Sequence, residues 1–141
     1  MEANKNKYSR SQFKSGERKT AKREERSNYG IAVLRNCRMS PRKVRQVADL
    51  VRGQGVDQAL ELVSVLPKKA ALHIGRTLKS AVANYRNRDG NEHVEESNLR
   101  VATAFVDGGF SMKRIKFRAQ GRAAYIKKRT SHLTIYVASN E

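Results

Sequence analysis

Between two alternating apolar segments, LRVATAFVD (99–107) and SHLTIYVAS (131–139), the chain carries FSMKRIKFRAQGRAAYIKKR at 110–129. The flanks read as β-strands, so the position is that of a hairpin turn, but the length and charge are not. The stretch contains Lys113, Arg114, Lys116, Arg118, Arg122, Lys127, Lys128 and Arg129 and no carboxylate. So charged a stretch is also poor in core-forming residues. It is not featureless, however, since Met112, Ile115, Phe117, Tyr125 and Ile126 lie between the cations. RIKFR alternates with period two, so an extended strand places its cations on one side and Ile115 and Phe117 on the other. Gly121 suits a turn that needs a positive φ. Two arms of about eleven residues at roughly 3.3 Å each would reach about 35 Å from the sheet. A lone two-stranded ribbon is marginal in water, so a second surface is expected. RNA fits that pattern, with phosphates against the cations and bases or sugars against the apolar side chains. A disordered basic loop is the plainer reading.

The rest of the composition agrees with a polyanionic partner. A formal net charge of +17 on 141 residues makes a compact domain repel itself, which points first to nucleic acid and second to an anionic membrane surface. The length fits one domain. No apolar run is long enough to span a bilayer, and a soluble protein is expected. Cys37 is the single cysteine, so an intrachain disulfide is impossible, a reducing compartment fits, and the residue reads as a core filler. His73, His93 and His132 are scattered without carboxylate or sulfur at ligand spacing, so no metal is expected. Residues 1–27 are polar, basic and almost free of aliphatics, which predicts an extension that is disordered alone. They lack the apolar region of a secretory signal, and their glutamates argue against a transit peptide. A basic arm that orders on RNA is favoured over a solvated tail.

YGIAVLRNC (29–37) reads as a short strand. In MSPRKVRQVADLVRGQG, Ser40 can cap, Pro41 suits the first helical position and Gly53 the stop. Val44, Val47, Ala48 and Val51 recur at i, i+3, i+4, i+7 and form one buried stripe. A second helix follows Gly55, with Val56, Ala59, Leu60 and Val63 inward. Pro67 opens a third to about Tyr85, buried through Ala71, Ile74, Leu78, Ala81, Val82 and Tyr85. After a polar loop, Leu99, Val101 and Phe105 form one face of a strand, as do Leu133, Ile135 and Val137. The expected fold is α+β, a small antiparallel three-stranded sheet with three helices on one face and a long protruding basic β-hairpin at about 107–130. The domain proper is 28–141.

Arg42 and Lys43 occupy a helical first turn, where the macrodipole disfavours cations, unless a phosphate docks on the free amides there. Arg42, Arg45, Asp49 and Arg52 share an outward arc that reads equally as a solvated face. Two helices joined by RGQG resemble a DNA-binding unit, but the second offers Asp57 and Glu61 and no cation, which opposes a major-groove role. Lys68, Lys69, Arg76 and Lys79 make another basic surface on the third helix. No phosphate-cradling glycine loop, paired acids or nucleophile with a base is present, so neither an enzyme nor a cofactor is expected.

SPRKVRQVADLVRG, PKKAALHIGRTLKSAVAN and FVDGGFSMKRIKFRAQGRAAYIKKRTSHLTIYV together resemble the bacterial-type large-subunit ribosomal protein 22 family, in one order over residues 30–138. The resemblance implies a non-catalytic constituent of cytoplasmic ribosomes that binds large-subunit ribosomal RNA and aids assembly. Its hairpin would line the nascent-peptide exit tunnel near the region where macrolides bind. Partners would be ribosomal RNA, neighbouring large-subunit proteins and the nascent polypeptide, with no membrane and no small-molecule substrate. A free-standing RNA chaperone is the alternative; a membrane-surface protein ranks last, because the apolar stripe of the third helix is needed for the core. The candidate RNA-binding residues are Arg42, Lys43, Arg45, Lys68, Lys69, Arg76, Lys79, Lys113, Arg114, Lys116, Arg118, Arg122, Lys127, Lys128 and Arg129. The tunnel-facing tip carries over to Met112, Lys113, Arg114, Phe117, Arg118, Ala119, Gln120, Gly121 and Arg122. Phe110 and Phe117 stand where the family usually has proline, Gln120 where it has a cation, and Ala124 where it has an acid.

Overall fold

The computed structural model describes residues 28–88 and 93–140, so the basic extension expected over 1–27 lies outside the described residues. Strand β1 (Gly30–Cys37) leads into helices α1 (Pro41–Val51), α2 (Val56–Val65) and α3 (Lys69–Arg86). A 3-10 turn at Glu96–Asn98 precedes the long strands β2 (Leu99–Phe117) and β3 (Ala123–Ser139). The sheet is antiparallel in the order β1-β3-β2, which gives the α+β architecture expected.

Hydrophobic periodicity explains the helices. Val44, Val47, Ala48 and Val51 of α1 are all buried, as are Val56, Ala59 and Val63 of α2, with Leu60 packed at the edge. They meet the α3 stripe of Ala71, Ile74, Leu78, Ala81, Val82 and Tyr85 and the inward sheet residues Ala32, Val101, Leu133, Ile135 and Val137 in one core. Gly75 lets α2 and α3 approach closely, since a Cβ there would lie 3.0 Å from Val63 Cγ1. Gly30 does the same for β1 and α3, where a Cβ would lie 2.6 Å from that of Tyr85. Cys37 is buried, as a filler should be.

The helix ends depart slightly from expectation. Ser40 occupies the N-cap of α1 and its carbonyl accepts from the amides of Lys43 and Val44, but its hydroxyl makes no capping bond. The fixed φ of Pro41 at the start supplies the entry geometry instead. Pro67 does not open α3; the N-cap is Lys68. Gly53 ends α1's turn at φ +81°, and its amide donates to the Val101 carbonyl at 2.9 Å. Val101 in turn donates to Gln54 at 2.9 Å, so the RGQG turn is stitched to the start of β2.

One inward assignment fails. Phe105 lies on the outer face, stacked on Tyr136 with ring centroids 6.0 Å apart, and Ala104 and Val106 point inward instead. The register of β2 against β3 shifts between Val101 and Thr103, and a bulge exchanges the two faces downstream.

A second irregularity marks where β2 and β3 leave the core. Gly108 pairs with Ser131 and Ser111 with Arg129, so Gly109 and Phe110 oppose Thr130 alone. The Thr130 hydroxyl donates to the Phe110 carbonyl at 2.7 Å. Beyond this bulge Ser111 to Phe117 pairs with Ala123 to Arg129 as a two-stranded ribbon. At its end the Arg118 amide donates to the Arg122 carbonyl at 2.8 Å. Gly121 has the positive φ expected of it (+70°), and Gln120 shares the left-handed region at +59°.

Candidate nucleic-acid interface

The fold converts separate basic stretches into one surface. The N-terminal ends of α1 and α3 and the root of the ribbon enclose an open cleft of about 930 Å³. Lys43 comes from α1, Lys68 and Lys69 from α3, and Arg114, Lys127, Lys128 and Arg129 from the ribbon. Arg38, Met39, Gln46 and Met112 complete much of the lining. Neither helix has an acidic residue in its first turn. The positive ends of two helix dipoles add to the charge of the side chains, and the cleft has the chemistry of an anion receptor.

Other candidates lie elsewhere. Arg76 and Lys79 line a second cleft of about 1000 Å³ between α2 and α3, together with Lys68, Arg86 and the apolar Leu60, Leu72 and Val82. Arg42 is exposed on α1 and is not among the residues lining either cleft. Arg45 has a different partner: Nε and Nη2 donate to the Val106 carbonyl at 3.0 and 2.8 Å. Arg52 does the same to Ala104 at 3.1 and 2.6 Å and also pairs with Asp49 at 3.0 Å. Strand β2 is an edge strand, and its outward carbonyls would otherwise be left for water or another chain. The arc of α1 that reads as a solvated face is in part a clamp on that edge.

Along the ribbon, residues directly opposite share a face. One face carries Lys113 opposite Lys127, Ile115 opposite Tyr125 and Phe117 opposite Ala123. The other carries Met112, Arg114 and Lys116 opposite Lys128, Ile126 and Ala124. The predicted separation of Ile115 and Phe117 from Arg114 and Lys116 is present, while Lys113 and Lys127 join the apolar side near the root. Ile115 is 61%, Tyr125 77% and Phe117 85% exposed, so this row has no partner within the fold. Lys116, Arg118, Ala119, Gln120 and Arg122 stand at the far end, exposed and away from both clefts. Paired lysines held directly opposite are unfavourable without a counter-charge.

Arg38 is the cleft cation that sequence pattern did not select. It follows a strand as a lone cation, and only the turn from β1 into α1 carries it to the cleft. Among the described residues no group of three or more His, Cys, Asp or Glu side chains could hold a metal. No described helix is long and apolar enough to cross a membrane. His132 Nδ1 accepts the Asn36 amide at 3.1 Å.

These features define a class: a small, strongly basic α+β protein with an arm continuous with its sheet and no metal-holding cluster among the described residues. Residues 32–138 match the family described as Ribosomal protein L22p/L17e. The Large ribosomal subunit protein uL22 of Heliobacterium modesticaldum is 51% identical over 107 residues, which cover 76% of this chain and 74% of the relative. That of Carboxydothermus hydrogenoformans is 47% identical over 110 residues (78% and 95%), and that of Bifidobacterium longum 43% over 112 (78% and 94%). The chain belongs to the L22p/L17e family of ribosomal proteins. It is a structural, non-catalytic constituent of the large ribosomal subunit in the cytoplasm.

Proposed function

We propose that this protein binds large-subunit ribosomal RNA through the cleft between α1, α3 and the ribbon root, and that the ribbon runs on through RNA to line the nascent-peptide exit tunnel. The observation that carries the reading is the convergence of seven candidate cations, together with Arg38 and two acid-free helix starts, on one cleft. A phosphate backbone in that cleft would neutralise the charges and accept from the helix amides. Lys116, Arg118 and Arg122 would hold RNA along the ribbon, while Ile115, Tyr125 and Phe117 would lie against bases or sugars. Arg42, Arg76 and Lys79 would meet RNA at the flanks of the body. Met112 to Arg122 would form the tunnel wall and meet the nascent polypeptide. By bridging RNA segments that meet only in the folded subunit, the protein would aid assembly.

Mapped crosslinks test this directly. Photo-reactive groups at Lys43 and Lys128 should each reach large-subunit RNA, and one at Gln120 should reach a stalled nascent chain. Co-sedimentation with large subunits should survive a high-salt wash, as that of a free-standing RNA chaperone would not. Crosslinks scattered over unrelated RNAs would overturn the RNA assignment. RNA crosslinks from the body without a nascent-chain product from Gln120 would overturn the tunnel assignment.

A further inference from the structure

One hollow on this strongly basic molecule is lined by no cation. Residues 53–67 contain no lysine or arginine, and their charged residues are Asp57 and Glu61. Both are exposed on α2, one turn apart, and neither is in an ion pair among the described residues. Beside them Gln58, Glu61, Leu62, Val65, Leu66 and Pro67 line a shallow hollow of about 520 Å³. Val65 is 82% exposed although it lies in the last turn of a helix whose other valines are buried.

We propose that this surface is a docking site for a cationic segment of a neighbouring protein, one that places an apolar side chain in the hollow and lysine or arginine beside Asp57 and Glu61. The inference rests on the ribosomal reading above and adds a partner chemistry to it. Two uncompensated carboxylates repel phosphate, so RNA is the wrong cover for this face. A cation-rich chain is the right one, and the exposed Val65 with the flanks of Leu62, Leu66 and Pro67 supplies an apolar anchor. The patch is small, and a single anchor with two exposed ion pairs binds weakly in free solution. It becomes effective when RNA holds both proteins, because the second contact is then intramolecular in effect.

The test uses the full-length protein carrying a benzophenone side chain in place of Val65, incorporated into large subunits and purified through a high-salt wash. Irradiation should yield a crosslink to another subunit protein. The crosslinked peptide, sequenced by mass spectrometry, should carry at least two Lys or Arg residues close to a bulky apolar one. Adding Asp57→Lys and Glu61→Lys, both exposed and outside the core, should lower the crosslink yield about tenfold. A crosslink to RNA, to a second copy of this chain or to an acidic peptide would overturn the proposal. So would the absence of any product, or a yield unchanged by the charge reversal. Co-sedimentation of the unreversed variant is scored separately: if it fails, the ribosomal reading falls and this one with it, whereas normal incorporation with a wrong crosslink sinks only the docking site.

Discussion

Replacing Lys43, Lys68, Lys69 and Lys128 by glutamine together would test whether the cleft acts as one phosphate site. All four line it, and they come from three different elements. None is buried or bonded into the core, so the fold should survive. Removing one lysine–phosphate pair lowers the salt slope of log K by about 0.7 to 0.9, so removing four flattens it by roughly 3. Between 50 and 200 mM salt, that difference amounts to about sixty-fold in relative affinity. The assay is fluorescence anisotropy on large-subunit ribosomal RNA across that salt range, with circular dichroism to confirm the fold. Arg45→Gln provides the contrast, because its guanidinium is bonded to the Val106 carbonyl. It should leave the slope nearly unchanged. The reasoning is refuted if the quadruple variant keeps the wild-type slope, or if Arg45→Gln alone flattens it by as much as a cleft lysine does.

Gly30→Ala should destabilise the domain by about 2 kcal/mol or more, because the new methyl meets the Ala81 carbonyl and Tyr85 Cβ where β1 crosses α3; thermal unfolding measures it, and an unchanged midpoint would show that the helix can move away. Replacing residues 110–129 by Asn-Gly should leave folding intact, since no residue of the ribbon belongs to the core cluster, and it shortens a long loop. Urea denaturation should then show a cooperative transition, and a variant that fails to fold would mean that the ribbon supports the core. Gln120→Gly should stabilise the tip by about 1 kcal/mol by relieving a left-handed residue at φ +59°, read as greater amide-exchange protection of the Arg118 N–H.

What can be read in the sequence is what repeats. The valine stripe of α1, the alanine-rich face of α3 and the alternation of β3 each fix a buried face through their own spacing. The inward placement of Phe105 fails because a bulge at Val101–Thr103 reverses the parity of β2, and no residue there advertises it as a glycine would. Arg45 and Arg52 lie on the polar side of an amphipathic helix, where solvent is the natural reading. Their role as clamps depends on β2 being an edge, which the sheet order decides and the local pattern does not. The cleft is legible in its parts and not in its convergence. Lys43, Lys68 and Lys128 are far apart in the chain, and only the packing of α1 and α3 beside the ribbon root makes them neighbours.

The order β1-β3-β2 also has a consequence for how the domain comes into being. The central strand is synthesised after both of its neighbours, and β1 has to wait for a partner roughly a hundred residues away, as in the pairing of Gly30 with Val137. Until β3 emerges, β1 and β2 have no strand between them, and the helical faces lack Leu133, Ile135 and Val137. Pairings so distant in sequence close slowly. During that interval the nascent chain presents its cations without a completed sheet behind them, so the proposed RNA contacts would be open to the growing polypeptide before the sheet closes.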